Sequence, residues 1–586
     1  MKESKIVFEN GNPSLVVDGK KMPALAYMTY FEENNDYALF AQNGYRLFSV
    51  PVALAHQPIN PNSGFCPHFG GIFDEKGKAD FTIVDASIQR IVDACPEAYI
   101  FPRVYISMPQ WWIDENPTET VSVAHDKRRE ALYSQKFRED AAKMLTELLV
   151  HFKTFQYADH MIGYHIAGGG TEEWFHFDYT GSYHENALPY FSKYMSETIE
   201  KLPDLAQIQQ SAVITDTLLQ KYILFANECV AETIEYLCKA AKAALENRQI
   251  VGVFHGYDME VARPLWGTHA LHKLLDCPYV DFFSSPNSYV NGRSLGVDWP
   301  DMMPVDSILL HGKMCLIECD VRTYRTVLPS KAREGCDPYH SYTQGLWNGP
   351  PTEELSVFAV RKSLARQLTH KHGLWWFDMF GHWYNTPALM KEMHLAQKLY
   401  HMGHTDDTGY APEVAVFVDE ETYARIGQAH PQYKLTENMR EHFGKMGTPF
   451  SAYITHDFDK IHWDDTSYKA VLFLMPEGDV FVSKAQALLK QKNIATLYVT
   501  ELTTGECLRR FLRASGVWIF SDSDDVVYFG NGFVALHGAA EGEKTISLPK
   551  EMTCTDVISN ETQITNKLTF DCRQYETRIF ALKEGR

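Results

Sequence analysis

The sequence predicts an α/β protein built on a (β/α)8 TIM barrel, and three observations predict it. Eight short apolar runs recur over roughly the first 400 residues. They are continuous rather than alternating, as parallel strands covered on both faces must be. Segments of helical periodicity separate them, which is the βα alternation of a closed parallel barrel. A doubly wound eight-stranded sheet shows the same alternation, and periodicity does not separate the two.

The chain opens on "PSLVVDGKKMPAL", where Asp18-Gly19 is the signature of a type I′ hairpin turn. The strand runs follow as "ALAYMTYF" (24–31), "YRLFSVPV" (45–52), "AYIFPRVYI" (98–106), "HMIGYHIAG" (160–168), "QIVGVFHG" (249–256), "YVDFFSS" (279–285), "KMCLIECD" (313–320) and "GLWWFDMF" (373–380). Between the third and fourth, Phe137, Ala141, Met144, Leu145, Leu148, Leu149 and Phe152 fall at helical spacing and form one apolar stripe. Further helices are expected over 217–246, 354–372 and 387–402. Beyond residue 405 the texture changes. Short apolar runs at 413–421, 451–458, 469–476 and 495–500 alternate with helical stretches at 483–492 and 507–516, the pattern of a smaller open α/β domain. The last sixty residues read as short strands and turns, hence a small antiparallel β domain. The expected division is 1–405, 406–525 and 526–586.

Composition bounds the function. A 586-residue chain with 45% hydrophobic, 22% charged and 13% aromatic residues folds compactly, and its aromatic content suits a ligand held by stacking. The net charge of -20 repels phosphate backbones and anionic lipid, so neither nucleic acid nor a membrane surface is an expected partner. Eleven cysteines without a CxxC pair point to reduced thiols rather than a disulfide framework. Cys315 and Cys319 lack a second pair that would complete a zinc tetrad. With no signal-like N-terminus and no run of about 18 apolar residues, a cytoplasmic protein is expected.

In a barrel the active site sits at the carboxyl ends of the strands. The polar residues closing the runs are therefore candidates: Tyr30 with Glu32 or Glu33, Arg46, Arg103 with Gln110, Trp111 and Trp112, His165, His255 with Asp258, Asn287 with Tyr289, and Trp375, Trp376, Asp378, His382 and Trp383. Two places stand out. "LIECDVRTY" (316–324) is a buried-looking strand that ends in Glu318, Asp320 and Arg322, and an unpaired charge there is cheap only at the barrel mouth. Mutual pairing of those three at the rim is the alternative. "GGGTEEW" (168–174) follows the fourth run with a sharp glycine turn, two acids and a Trp. Acids from two strand ends in a Trp- and Tyr-rich mouth are what glycoside hydrolysis requires. A phosphate-cradling reading of the glycines fails on spacing and on the acids that follow. His165, His255 and His382 raise a metal-dependent hydrolase as a further possibility, without an HxH pair to support it.

On "ECDVRT" (318–323), "GGGTEEW", "LWWFDMFGHWY" (374–384) and "AVFVDEETY" (415–423), the chain resembles the clan A glycoside hydrolases, most of all the branch holding the family 42 β-galactosidases. A family of β-mannosidases shares the arrangement. The resemblance implies a retaining exo-acting β-glycosidase without cofactor or metal, a flavodoxin-like second domain used in oligomerisation, trimeric in that family, and a β-linked glycoside as substrate. It implies Glu318 as nucleophile and one acid of the fourth strand as acid/base. The clan's Asn before that acid is absent, leaving Glu172 and Glu173, of which Glu173 is favoured because an aromatic residue follows it. Arg46 and Tyr289 would then keep Glu318 ionised, and Trp112, His165, His255, Asn287, Trp376 and Trp383 would join them in binding the sugar. Asp320 and Arg322 are expected to form a local pair.

Overall fold

A computed structural model describes residues 1–9, 11–177, 184–343, 345–403, 411–475 and 480–584. Eight parallel strands close into a barrel: β1 (Leu25–Met28), β2 (Leu47–Phe48 and Pro51–Ala53), β3 (Tyr99–Ile100 and Arg103–Ile106), β4 (Gly163–Gly168), β5 (Ile250–Phe254), β6 (Phe282–Ser284), β7 (Met314–Cys319) and β8 (Gly373–Phe377). Each pairs in parallel with its neighbour, and β8 pairs β1 through Leu374 to Leu25, so no edge is left open. Every apolar run of the sequence supplies one strand. β2 and β3 are each split into two pieces, β3 at Pro102, which has no N–H to donate to a ladder.

A helix follows each strand and packs outside it. The long ones, Gln135–Thr154, Thr217–Ala244, Glu353–Thr369 and Pro387–Gly403, lie where the 3.6-residue periodicity places them. Three antiparallel strands, Ser4–Glu9, Asn12–Val17 and Lys20–Met22, precede the barrel. The hairpin joining the second and third turns at Asp18 (φ 47°) and Gly19 (φ 77°), the two positive values that a type I′ turn demands.

Beyond the barrel, Val414–Val418, Ser451–Ile454, Ala470–Leu474 and Ala495–Tyr498 form a four-stranded parallel sheet in the order 2-1-3-4, the flavodoxin-like arrangement. The expected domain boundary at 405/406 lies outside the described residues. The final sheet is antiparallel, with five strands. Residues 544–549 and 554–556, two short runs in the sequence, belong to one strand, Gly542–Asp556, whose register shifts between Ser547 and Met552 around Pro549. The strand Thr562–Cys572 gives almost no apolar signal because most of its side chains face solvent. Among the described residues, no helix is long and apolar enough to cross a membrane.

Candidate active site

The loop after β4 is the most strained segment of the mouth. Gly169, Thr171, Glu172 and Trp174 all have positive φ (64°, 56°, 67° and 62°), three of them residues with side chains that ordinarily avoid that region. Two of its glycines are sterically required. A Cβ on Gly168 would come within 2.6 Å of the Trp174 indole, and one on Gly169 within 2.6 Å of the Phe175 carbonyl. Trp174 folds back under the loop and donates to the Ile166 carbonyl (3.1 Å). The result is a tight knuckle that sends Glu172 and Glu173 in different directions.

Glu172 has no exposed surface. Its carboxylate meets Arg103 Nε at 2.8 Å, accepts from Tyr30 Oη at 2.6 Å and contacts His68 Nε2 at 3.0 Å. Burial opposes the anion, yet Arg103 and His68 hold the carboxyl below the usual glutamate range. Glu173 is partly exposed. It accepts from Thr171 Oγ1 at 2.6 Å and Tyr257 Oη at 2.9 Å, and no cation among the described residues is bonded to it. Burial, aided by the charge of Asp320, pushes its carboxyl up despite those hydroxyls and Arg103.

Arg103 ties the strands together. From β3 its guanidinium reaches Glu172 on one side and Glu318, at the end of β7, on the other (Nη1 to Oε2, 2.8 Å). It rests against the rings of Phe254, Phe377 and Tyr30, 4.5, 5.4 and 5.5 Å from their centres. Glu318 is 4% exposed and pushed up to about 8, first by burial and then by the charges of Asp320 and Glu173, against the pull of Arg103. Asp320 sits between two buried guanidiniums, Arg293 and Arg322. The expected Asp320–Arg322 pair is present, with Arg293 as a second partner. Tyr289 lies over Arg293 (4.4 Å), Arg322 is flanked by Trp347 and Trp383 (4.9 and 5.5 Å), and Asn287 accepts from Ser363 Oγ at 2.9 Å.

Several expected residues sit elsewhere. Arg46 precedes β2 and pairs with Glu97 (3.2 Å), which precedes β3; both belong to the barrel floor, and Arg103 holds the place by Glu318 expected for Arg46. Trp112 is buried in the helix Gln110–Glu115 and donates to Asp140 (2.9 Å). Period-2 alternation turns Trp376 outward, where it donates to Tyr45 Oη (2.8 Å), while Trp375 enters the barrel. His165 is sealed among Phe254, Phe282 and Trp375. His255 faces outward, toward Glu420 and His269. His382 is half-exposed beside Asp36, so the three histidines do not converge. His68, Tyr257 and Arg293 carried no signal of their own in the sequence; they arrive on loops whose course depends on long-range packing.

No protein-family model matches the chain, and no curated protein matches its sequence. Solved structures do match in fold. A β-galactosidase from Bacillus circulans sp. alkalophilus superposes with a TM-score of 0.61 at 12% identity over 96% of this chain and 99% of that one. One from Rahnella sp. R3 gives 0.59 at 12% identity over 95% and 98%. A catalytic mutant of a GH42 β-galactosidase from G. stearothermophilus gives 0.58 at 12% identity over 96% and 98%. The likeness spans whole chains, and at this identity it is one of fold: the chain has the multi-domain architecture of the GH42 enzymes.

Proposed function

We propose that the protein is a glycoside hydrolase, a retaining exo-β-glycosidase of the β-galactosidase or β-mannosidase type. The observation that carries this reading is the arrangement of Glu318 and Glu173. They come from the ends of β7 and β4 and share one mouth, where the charge of Glu173 raises the affinity of Glu318 for a proton. Double displacement needs one of the two ionised while the other holds a proton.

Which acid holds it follows from the neighbours. Glu318 is in direct contact with a guanidinium, which favours its anion, whereas the hydrogen bonds that described side chains give Glu173 come from hydroxyls. Glu318 then attacks the anomeric carbon while Glu173 gives its proton to the departing glycosidic oxygen. Esterification removes the charge of Glu318, so the pKa of Glu173 falls. Glu173 can then take a proton from the water that cleaves the glycosyl ester. Glu172 has no exposed surface and holds Arg103, which makes it a positioning anion rather than the acid/base.

The test is the Glu318→Ala variant on p-nitrophenyl β-glycosides. Turnover should fall on the order of 10⁴-fold, and azide, small enough to fill the vacated space, should restore part of it as the glycosyl azide. Near-full activity of Glu318→Gln would refute the assignment. A panel of galactoside, mannoside, glucoside, fucoside and glucuronide names the sugar. By the same likeness we propose a homo-oligomer, which sedimentation of the purified protein measures.

A further inference from the structure

A cluster of titratable side chains outside the mouth lies where the barrel meets the four-stranded sheet. Glu420, just past the end of Val414–Val418, has a fully buried side chain. One of its oxygens, Oε2, lies 3.0 Å from His272 Nδ1 and 3.5 Å from His456 Nδ1. His272 belongs to the short barrel helix Leu271–Leu275, and His456 follows the sheet strand Ser451–Ile454. Glu420 also accepts the backbone N–H groups of Leu271 and His272, which is the work of a helix cap. A cap needs one carboxylate; it does not explain two imidazoles turned toward the same oxygen.

Three further facts point to a ligand. First, Glu420 Oε2 and His272 Nδ1 stand 3.0 Å apart, near the edge of about 3.3 Å that tetrahedral geometry gives for zinc–ligand bonds near 2.0–2.1 Å, and a ligand atom of each of the three residues lies within 4.8 Å of the other two. Second, two buried polar atoms beside the triad, His269 Nε2 and Asp258 Oδ2, have no hydrogen-bond partner among the described residues. Glu420, His269 and His272 all act on the charge of Asp258, so these atoms are neighbours of the triad. Orphans of this kind mark an absent water or ion. Third, the carboxyl ends of the strands are where open parallel α/β sheets hold ligands, and Glu420 and His456 both sit there, on adjacent paired strands.

We propose that His272, Glu420 and His456 form a binding site for one divalent transition-metal ion, zinc by its donor set, that clamps the barrel to the four-stranded sheet. Two imidazoles and one carboxylate leave a fourth position for water, and the partly exposed side chains of His272 and His456 (23% and 35%) give the ion a route in. The two rings stack at 4.2 Å with planes 4° apart, so in-plane bonding by both requires the more exposed His456 to turn about χ2. The site is independent of the proposed glycosidase activity, and its test does not use turnover.

The full-length protein, dialysed against chelator, is titrated with Co²⁺ and Zn²⁺. The expected result is about one equivalent of Co²⁺ bound, with visible d–d absorption and no thiolate charge-transfer band, competed away by Zn²⁺. Zn²⁺ should raise the melting temperature, because an ion that binds only the folded state stabilises it. His456→Ala, at a partly exposed position that should still fold, must abolish both effects, and Glu420→Gln, which can keep accepting from the helix backbone, must abolish the Co²⁺ spectrum. No saturable binding by the wild type, or binding that survives in both variants, would overturn the proposal.

Discussion

Glu172 and Glu173 are neighbours in sequence and opposites in environment. The Arg103 side of the mouth surrounds Glu172 with a guanidinium, an imidazole and a phenol, and burial there is outweighed by donors. On the Tyr257 side, Glu173 has two hydroxyls and, among the described residues, no bonded cation, and burial prevails. The contrast teaches that local sequence cannot assign a proton. Two identical side chains one bond apart acquire different chemistry because a strained knuckle, four of its backbone positions at positive φ, aims them at different strands. One carboxyl is drawn toward its anion, and the other toward its neutral form.

The sharpest way to break this division is the leaving group. Glu173→Gln should lower kcat about 10²–10⁴-fold on glycosides with basic leaving groups, which need a proton. With 2,4-dinitrophenol, which departs without one, the loss should be far smaller. Glu172→Gln acts through Arg103, so its loss should be similar for both classes. If the leaving-group dependence follows Glu172 instead, the two roles are exchanged.

Next in size is the effect on pH dependence. Arg103 favours the anion of Glu318, so Arg103→Met should make the catalytic pair harder to ionise and move the acid limb of kcat/KM to higher pH. A purely structural role for Arg103 would lower the rate without moving that limb.

Stability separates the two sides with opposite signs. Glu172 has a lowered pKa, so its contribution is present above the ordinary glutamate value of about 4.3 and is lost as pH falls through the lowered one. Glu172→Gln leaves Arg103 one partner short and should cost about 3 kcal/mol near neutrality, a difference from wild type that shrinks in acid. Glu318 has a raised pKa, so its ionisation costs stability: the cost is absent below the ordinary glutamate value of about 4.3, grows as pH rises and is complete above about 8. Glu318→Gln should therefore melt higher than wild type, by more at about pH 9 than at about pH 6. Thermal scans of both variants across pH check the two signs together.

Much of this architecture was legible beforehand, and the exceptions have physical causes. All eight barrel strands could be read because a strand covered on both faces must be apolar throughout. Glu318 could be read because a charge closing such a run has one inexpensive place to go. Arg46 misled for a related reason: it opens its apolar run, and a charge at the start of a strand points to the floor as readily as one at its end points to the mouth. Arg103 interrupts its run, and that interruption is the signal of a side chain lying inside the barrel. His68 and Tyr257 depend on how loops dock across the mouth, which no local pattern encodes. Trp375 and Trp376 differ only in the phase of a period-2 alternation, which the register Glu318 to Trp375 sets.

The smallest predicted effect asks whether the Tyr257 side is supported from outside the barrel. Arg440, on the helix Leu435–Gly444 of the region beyond residue 410, forms a buried ion pair with Glu260 in the loop after β5. Glu260 in turn accepts from Ser288 Oγ (2.7 Å) and from the backbone N–H of Tyr289 (3.1 Å), so the loop after β6 that carries Tyr289 and Arg293 is anchored by a residue from another sheet layer. Arg440→Met leaves a buried carboxylate without its cation, and the loop should shift by a fraction of an ångström. We expect a several-fold fall in kcat with KM less affected, since a small misplacement weakens transition-state contacts more than ground-state binding. Pairing Arg440→Met with Glu260→Gln removes the unpaired charge and should recover part of the loss. Recovery would establish that the anchor works through charge pairing. A double variant no better than the single one would show that the arginine's packing, and not its charge, holds that half of the mouth.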